Sequence, residues 1–383
     1  MKRLLVILLV VVMFVPNFAY AEENLATNAK SAVLMEASTG EILFEKNKDD
    51  RVSIASLTKM MSQILILEAV EKGNLKWDEK ITTSANAAGY GGTQIYLEPG
   101  EVMTARELMK GISMASANDA TVALAERIAG TEEKFVDMMN KKAKEFGLKN
   151  TNFVNPTGLD EVNHYSSAYD LAIIAKELMK HEEIFEFSSL YEDYLRQNTP
   201  NKFWLVNTNK LVRLYEGCDG LKTGFTDAAG YTMAVTAKRG NERLIAIVLG
   251  EEVSKVRNKE TAELLDYGFN TYKVKLLMKK GEVIDKININ KGSKKSINGI
   301  LKDDITILMN KSDSDKEYTQ KVKIDDIKLP IKKNDKIGSI VIYDNDKKVG
   351  EYDIVSDSDI IKKNIFNVFM ENLGNLLSGN LKF

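Results

Sequence analysis

Apolar and polar positions fall into blocks whose period changes along the chain. Ala32-Val33-Leu34-Met35 and Ile42-Leu43-Phe44 flank turn chemistry at Ser38-Thr39-Gly40, which predicts a β-hairpin over 32–44. Leu57, Met60, Ile64 and Leu67 then recur at helical spacing from a start near Ser56, with Gly73 as the stop. Residues 105–114, 119–129, 132–146 and 167–179 read as further amphipathic helices, with a turn at Asn155-Pro156-Thr157-Gly158. The period returns to strands at 231–237 and 243–249, joined by a turn at Lys238-Arg239-Gly240-Asn241, and a helix over 255–271 follows. Beyond Tyr272 the composition shifts toward Lys, Asp, Asn, Ile and Val. Short alternating runs at 283–289, 305–309, 320–324, 337–343 and 349–355 predict a small all-β domain. The pattern over 359–377 is helical again, with Ile361, Ile365, Phe369 and Leu373 on one broad apolar face.

The first residues stand apart. Lys2 and Arg3 precede an unbroken apolar run, 4–15, too short for the ~20 residues that span a bilayer. Ala19-Tyr20-Ala21 follows, which predicts an export signal over 1–21. Loss of Lys2 and Arg3 takes the net charge from -2 to -4, so no electrostatic case exists for a nucleic-acid partner. The one cysteine, Cys218, excludes an internal disulfide and a cysteine metal cluster; neither metal nor cofactor is expected.

Three short motifs carry the candidate chemistry. Ser56-Leu57-Thr58-Lys59 places a hydroxyl and an amine three residues apart on one helix face. A serine needs a base to become a nucleophile, and a buried lysine beside a second cation loses its proton readily enough to serve. Ser116-Ala117-Asn118 lies between two predicted helices, where Ser116 can relay a proton and Asn118 can bind a peptide backbone. Lys222-Thr223-Gly224 precedes the 231 strand: a positive charge, a hydroxyl, and a glycine that lets an extended peptide approach a strand edge. Each motif alone reads equally as helix-start, loop or strand-end chemistry. The two histidines, His164 and His181, read as structural or surface residues, since neither motif presents them to Ser56.

The ordered triple resembles the signature of the penicillin-binding proteins and class A β-lactamases. With 153–159, 163–166 and 222–231, it is similar to the D-alanyl-D-alanine carboxypeptidases over most of 32–355. The resemblance implies an α+β fold: a β-lactamase/transpeptidase-like domain over 22–272, with an antiparallel sheet flanked by helices and a helical subdomain. A small all-β domain over 273–356 and an amphipathic membrane-anchor helix over 357–383 would follow. It further implies Ser56, Lys59 and Ser116 as catalytic residues, and Asn118, Lys222, Thr223, Gly224 and Phe225 as substrate-binding residues. The backbone N–H groups of Ser56 and Phe225 would form the oxyanion hole. The substrate would be a peptidoglycan stem peptide ending in D-Ala-D-Ala, with β-lactams as covalent inhibitors, at the outer face of the cytoplasmic membrane. Ala117 and Phe225 stand where relatives often carry glycine and histidine. A β-lactamase is the alternative enzyme, but no Glu-x-x-Leu-Asn lies between Asn155 and Lys222. A catalytically decayed wall-binding protein is the alternative outside enzymes, and a core or oligomer helix is the alternative to the membrane anchor.

Overall fold

The computed structural model describes residues 24–289, 292–314 and 316–363. The export signal and nearly all of the predicted terminal helix lie outside the described residues. The catalytic part is built on a five-stranded antiparallel sheet. Its strands are β1 (Ser31–Glu36), β2 (Ile42–Lys46), β3 (Cys218–Thr226), β4 (Gly230–Arg239) and β5 (Glu242–Glu251), in the order β2-β1-β5-β4-β3. β5 is central and covered on both faces, which explains its nearly continuous apolar run Leu244–Leu249.

Side-chain alternation sorts the sheet residues into two cores. Val33, Met35, Ile245, Ile247 and Leu249 face one helical layer. Ala32, Leu34, Leu244, Ala246 and Val248 face the opposite side, against Leu264, Leu265 and Phe269 of the helix Ser254–Thr271. Burial of each such large side chain contributes about 1.5–3 kcal/mol. In the first layer lies α1 (Lys59–Glu71), which is buried on nearly every side: Met60, Met61, Ile64, Leu65, Ile66 and Leu67 are all covered. The single stripe read from the sequence is therefore too narrow, because α1 threads between the sheet and other helices.

Those helices include α2 (Ala105–Ala115) and α3 (Asn118–Ala129). A reciprocal cap starts α2: Thr104 Oγ1 accepts from Glu107 N, and Glu107 Oε2 accepts from Thr104 N. It ends at Ser116 in the left-handed region, φ 63°, and the chain restarts as α3 two residues on.

A second unit begins where the helix Ser254–Thr271 runs directly into the strand Tyr272–Met278, paired with Ile305–Asn310. Its five-stranded sheet encloses Ile297, Leu301, Ile340, Ile342 and Ile354. Ser38 Oγ and Thr306 Oγ1, 2.8 Å apart, join the two units. Two strands here escape the pattern reading. Tyr272–Met278 is half-covered on both faces and interleaved with lysine, and Ser296–Leu301 carries Asn298 and Gly299. The predicted start of the terminal helix at Asp359 also needs correction. Residues 359–363 are extended: Ile360 is buried and exchanges backbone hydrogen bonds with Ile331, and Lys362 bridges to Gly292. Burial of Ile360 in the β-rich core overrides its helical spacing.

Candidate active site

The chain enters the site through Ala55, an alanine held at φ +47°, followed by a tight turn over Ala55–Thr58 that feeds α1. Ser56 sits on this turn and faces the cleft, while Lys59, the first residue of α1, has 0% exposure. Lys59 Nζ lies 2.9 Å from Ser56 Oγ and donates to Thr157 O at 2.6 Å. Burial drives the Lys59 ammonium well below the ordinary lysine value, the Lys222 cation pushes the same way, and Asp119 opposes them. Asp119 gives its oxygens to the backbone N–H groups of Ile95, Leu97 and Ala120, so it is no direct counter-ion.

The Thr157 carbonyl is aimed by its own turn. Asn155 Oδ1 accepts from Thr157 N, Thr157 Oγ1 and Gly158 N, and Ser62 Oγ of α1 donates to Pro156 O at 2.7 Å. Gly158 holds φ +87°, and a Cβ there would stand 1.9 Å from Ala55 O. The turn thus packs backbone to backbone on the residue that presents Ser56.

The break between α2 and α3 brings the second motif to the same cleft. Ser116 Oγ and Asn118 Oδ1 are buried and have no hydrogen-bond partner among the described residues. Asn118 Nδ2 donates to Gly91 O at 2.7 Å, which fixes the amide with its oxygen free. Buried polar atoms are rarely left unpaired, so two of them on one cleft wall mark where a polar ligand completes the set. Ala117 is fully buried, so the small side chain between them is a packing requirement.

The third motif lies within the edge strand β3. Lys222 is 1% exposed and donates to Thr223 O at 2.7 Å; burial and the Arg257 cation lower it to about 7. Thr223 Oγ1 donates to Thr208 Oγ1 at 2.8 Å. The glycine also has a reason that the sequence does not show. A Cβ on Gly224 would meet Thr232 Oγ1 at 2.6 Å and Ser56 N at 2.9 Å, so the protein's own Ser56 turn requires it. Phe225 is 52% exposed, its ring 4.4 Å from that of Tyr231.

Six of the eight predicted residues, Ser56, Ser116, Asn118, Thr223, Gly224 and Phe225, line one cleft of about 610 Å³; Lys59 and Lys222 lie buried behind it. Thr157, Thr208, Lys210 and Arg257 complete its walls and were not singled out from the sequence. The Arg257 guanidinium bonds Asn258 Oδ1 at 2.8 and 3.1 Å and lies 5.8 Å from the Tyr231 ring. Burial lowers it to about 10, still a cation at neutral pH. No short motif surrounds it; the helix Ser254–Thr271 reads only as a closing element. His181 bonds Glu71 Oε1 at 2.6 Å, and His164 is buried behind the nucleophile turn, bonded to Thr58 and Val154.

A family model described as D-alanyl-D-alanine carboxypeptidase matches residues 18–253, and one described as penicillin-binding protein 5, C-terminal domain, matches 272–362. The chain is 46% identical over 384 residues to D-alanyl-D-alanine carboxypeptidase DacF of Bacillus subtilis, covering 98% of each chain. Penicillin binding protein 5 from Haemophilus influenzae superposes with a TM-score of 0.71 at 32% identity, over 88% of this chain and 98% of that one. The ampicillin-bound penicillin-binding protein D2 from Listeria monocytogenes gives 0.57 at 36% identity, over 63% of this chain and 97% of that one.

The contact between Gly158 and Ala55 can be tested directly. Gly158→Ala forces a Cβ into a backbone carbonyl at a positive φ, and should cost about 2–4 kcal/mol of stability. Urea unfolding checks this, and a loss under about 0.5 kcal/mol would contradict the packing.

Proposed function

The chain belongs to the D-alanyl-D-alanine carboxypeptidases, and from that premise we propose that Ser56 is the nucleophile and Lys59 its base. The enzyme is a serine-type carboxypeptidase that removes the terminal D-alanine from peptidoglycan stem peptides through an acyl-enzyme. The observation that carries the assignment is a lysine with 0% exposure whose Nζ stands 2.9 Å from Ser56 Oγ. A neutral amine keeps one N–H on Thr157 O and turns its lone pair toward the serine hydroxyl. Ser56 Oγ then attacks the carbonyl of the penultimate D-alanine as its proton passes to Lys59. The C–N bond breaks, the proton returns to the leaving amine through Ser116 Oγ, and water hydrolyses the ester.

The walls supply recognition. Asn118 Oδ1 accepts an N–H from the substrate backbone. The Arg257 guanidinium and the Thr223 hydroxyl, its proton turned from Thr208 Oγ1 to the ligand, meet the terminal carboxylate, a bond that suits the donor fork of arginine. Lys222 supports them from behind: its ammonium is covered, so it adds positive potential and polarises the Thr223 carbonyl. Gly224 lets β3 approach the nucleophile turn, and the backbone N–H groups of Ser56 and Phe225 stabilise the oxyanion. A β-lactam offers the same carboxylate and carbonyl and remains as the acyl-enzyme.

We further propose that the product of residues 1–21 removal acts outside the cytoplasmic membrane. Residues 22–272 form the catalytic unit and 273–356 a β-rich unit. The apolar face read over 359–377 would, beyond Lys363, bind the outer face of the cytoplasmic membrane. Among the described residues no helix is long and apolar enough to cross a membrane.

Three outcomes are expected. The protein releases D-alanine from a diacetyl-lysyl-D-alanyl-D-alanine peptide and is labelled by a fluorescent penicillin, and Ser56→Ala abolishes both; persistent labelling refutes the nucleophile. Acylation by the same penicillin, followed by stopped flow from pH 5 to 10, rises as Lys59 loses its proton. Loss of the Lys222 charge near pH 7 weakens the hold on the carboxylate and opposes that rise, so the rate turns over below the ordinary lysine range. A rate still climbing at pH 9 would remove Lys222 from carboxylate recognition. Finally, protein ending at Lys363 should remain in the supernatant of sedimented anionic vesicles that pellet the full chain; equal pelleting refutes the anchor.

A further inference from the structure

His164 is 6% exposed, lies behind the nucleophile turn and does not line the cleft. Its hydrogen bonds have a fixed polarity. Thr58 Oγ1 donates its only proton to Ala55 O at 2.8 Å, so at 2.7 Å from His164 Nε2 it must accept. Val154 N donates to Nδ1 at 3.1 Å. The ring is therefore neutral with its proton on Nε2. Burial holds it in that state: it lowers the imidazolium to about 4, Lys59 adds to the shift and Asp160 opposes it. Phe153 packs edge-on to the ring at 5.9 Å.

These bonds join the two segments on which the chemistry depends. One is the turn at Ala55, whose φ of +47° costs an L-residue about 1–3 kcal/mol and persists only when its surroundings enforce it. The other is the loop from Val154 to Gly158, whose Thr157 carbonyl receives Lys59 Nζ. We propose that His164 is a positioning residue for acylation: through Thr58 it holds the left-handed Ala55 that presents Ser56, and through Val154 it holds the loop that orients Lys59. The inference rests on Ser56 and Lys59 being the nucleophile and base. His164 sets the distance between them and takes no part in holding the carboxylate, so its loss slows the covalent step and leaves recognition intact.

The test separates those steps in the full chain. Stopped-flow reaction with a fluorescent penicillin at pH 7 yields the limiting acylation rate and the non-covalent Kd. His164→Leu keeps bulk and removes both hydrogen bonds. Its acylation rate should fall about 10- to 100-fold, the scale of a displacement of about 1 Å in a reacting group, with Kd within threefold of the parent. His164→Gln, which retains a donor and an acceptor, should recover most of the rate. Thr58→Val breaks the relay from the other side and should match the His164→Leu loss; the double variant should lose little more than either single one. Thr58→Val also serves if His164→Leu does not fold. Acylation within twofold of the parent in the folded variants overturns the proposal, as do losses that multiply in the double variant or a Kd that weakens in step with the rate. The Ser56→Ala control keeps the two readings apart. Labelling that survives it refutes the site, whereas a dead Ser56→Ala beside a normal His164→Leu refutes only the positioning role.

Discussion

A lysine sealed from water must either pair with an anion or give up its proton, because a lone buried charge is costly. Lys59 is sealed, and the carboxylate whose charge favours its ammonium, on Asp119, is committed to three backbone N–H groups. A second sealed lysine, Lys222, raises the cost of a charge on Lys59 further. Two cations in one low-dielectric region cannot both be held cheaply, and both are pushed toward the neutral amine. Everything else in the catalytic unit maintains this condition. α1 is wrapped on all sides so that Lys59 cannot reach solvent, and β3 carries Lys222 into the same interior.

The geometry that sets the Lys59 amine beside the Ser56 hydroxyl follows from close backbone approaches. On one side of the Ser56 turn stands Gly224 of β3; on the other stands Gly158 of the loop from Asn155. Each leaves no room for a Cβ. The turn is therefore held by main chain, whose positions vary less than those of side chains. The break between α2 and α3 places two unpaired polar atoms opposite, so the cleft has one rigid floor and one wall with unmet hydrogen-bonding capacity.

Much of this was legible in order, less of it in reason. Ser56 and Lys59 are three residues apart, and that separation alone predicts a shared helix face; the two sheet strands after Gly230 follow from short β-branched and apolar runs around a glycine turn. Other features depend on contacts that no local window contains. Arg257 reaches the cleft only because the helix Ser254–Thr271 packs behind β4 and β5, 31 positions beyond Thr226. His164 looks like a loop residue until the loop closes on Thr58, 106 positions away. Gly224 has a neighbour that no local window contains: a Cβ there would stand 2.9 Å from Ser56 N. Ile360 lost its helical assignment to an isoleucine-lined core that draws Ile297, Ile305, Ile340 and Ile354 from separate strands.

The two glycines that grip the nucleophile turn also divide the site by how freely it can diversify. Any side chain at 158 or 224 collides with main chain, so the floor offers almost no viable substitutions. The rim is different: Phe225 is half open to solvent and presents mainly its backbone to the reaction, leaving its ring available for exchange. A lineage exposed to new acylating compounds would therefore find its variation at that rim, with the chemistry beneath it unchanged.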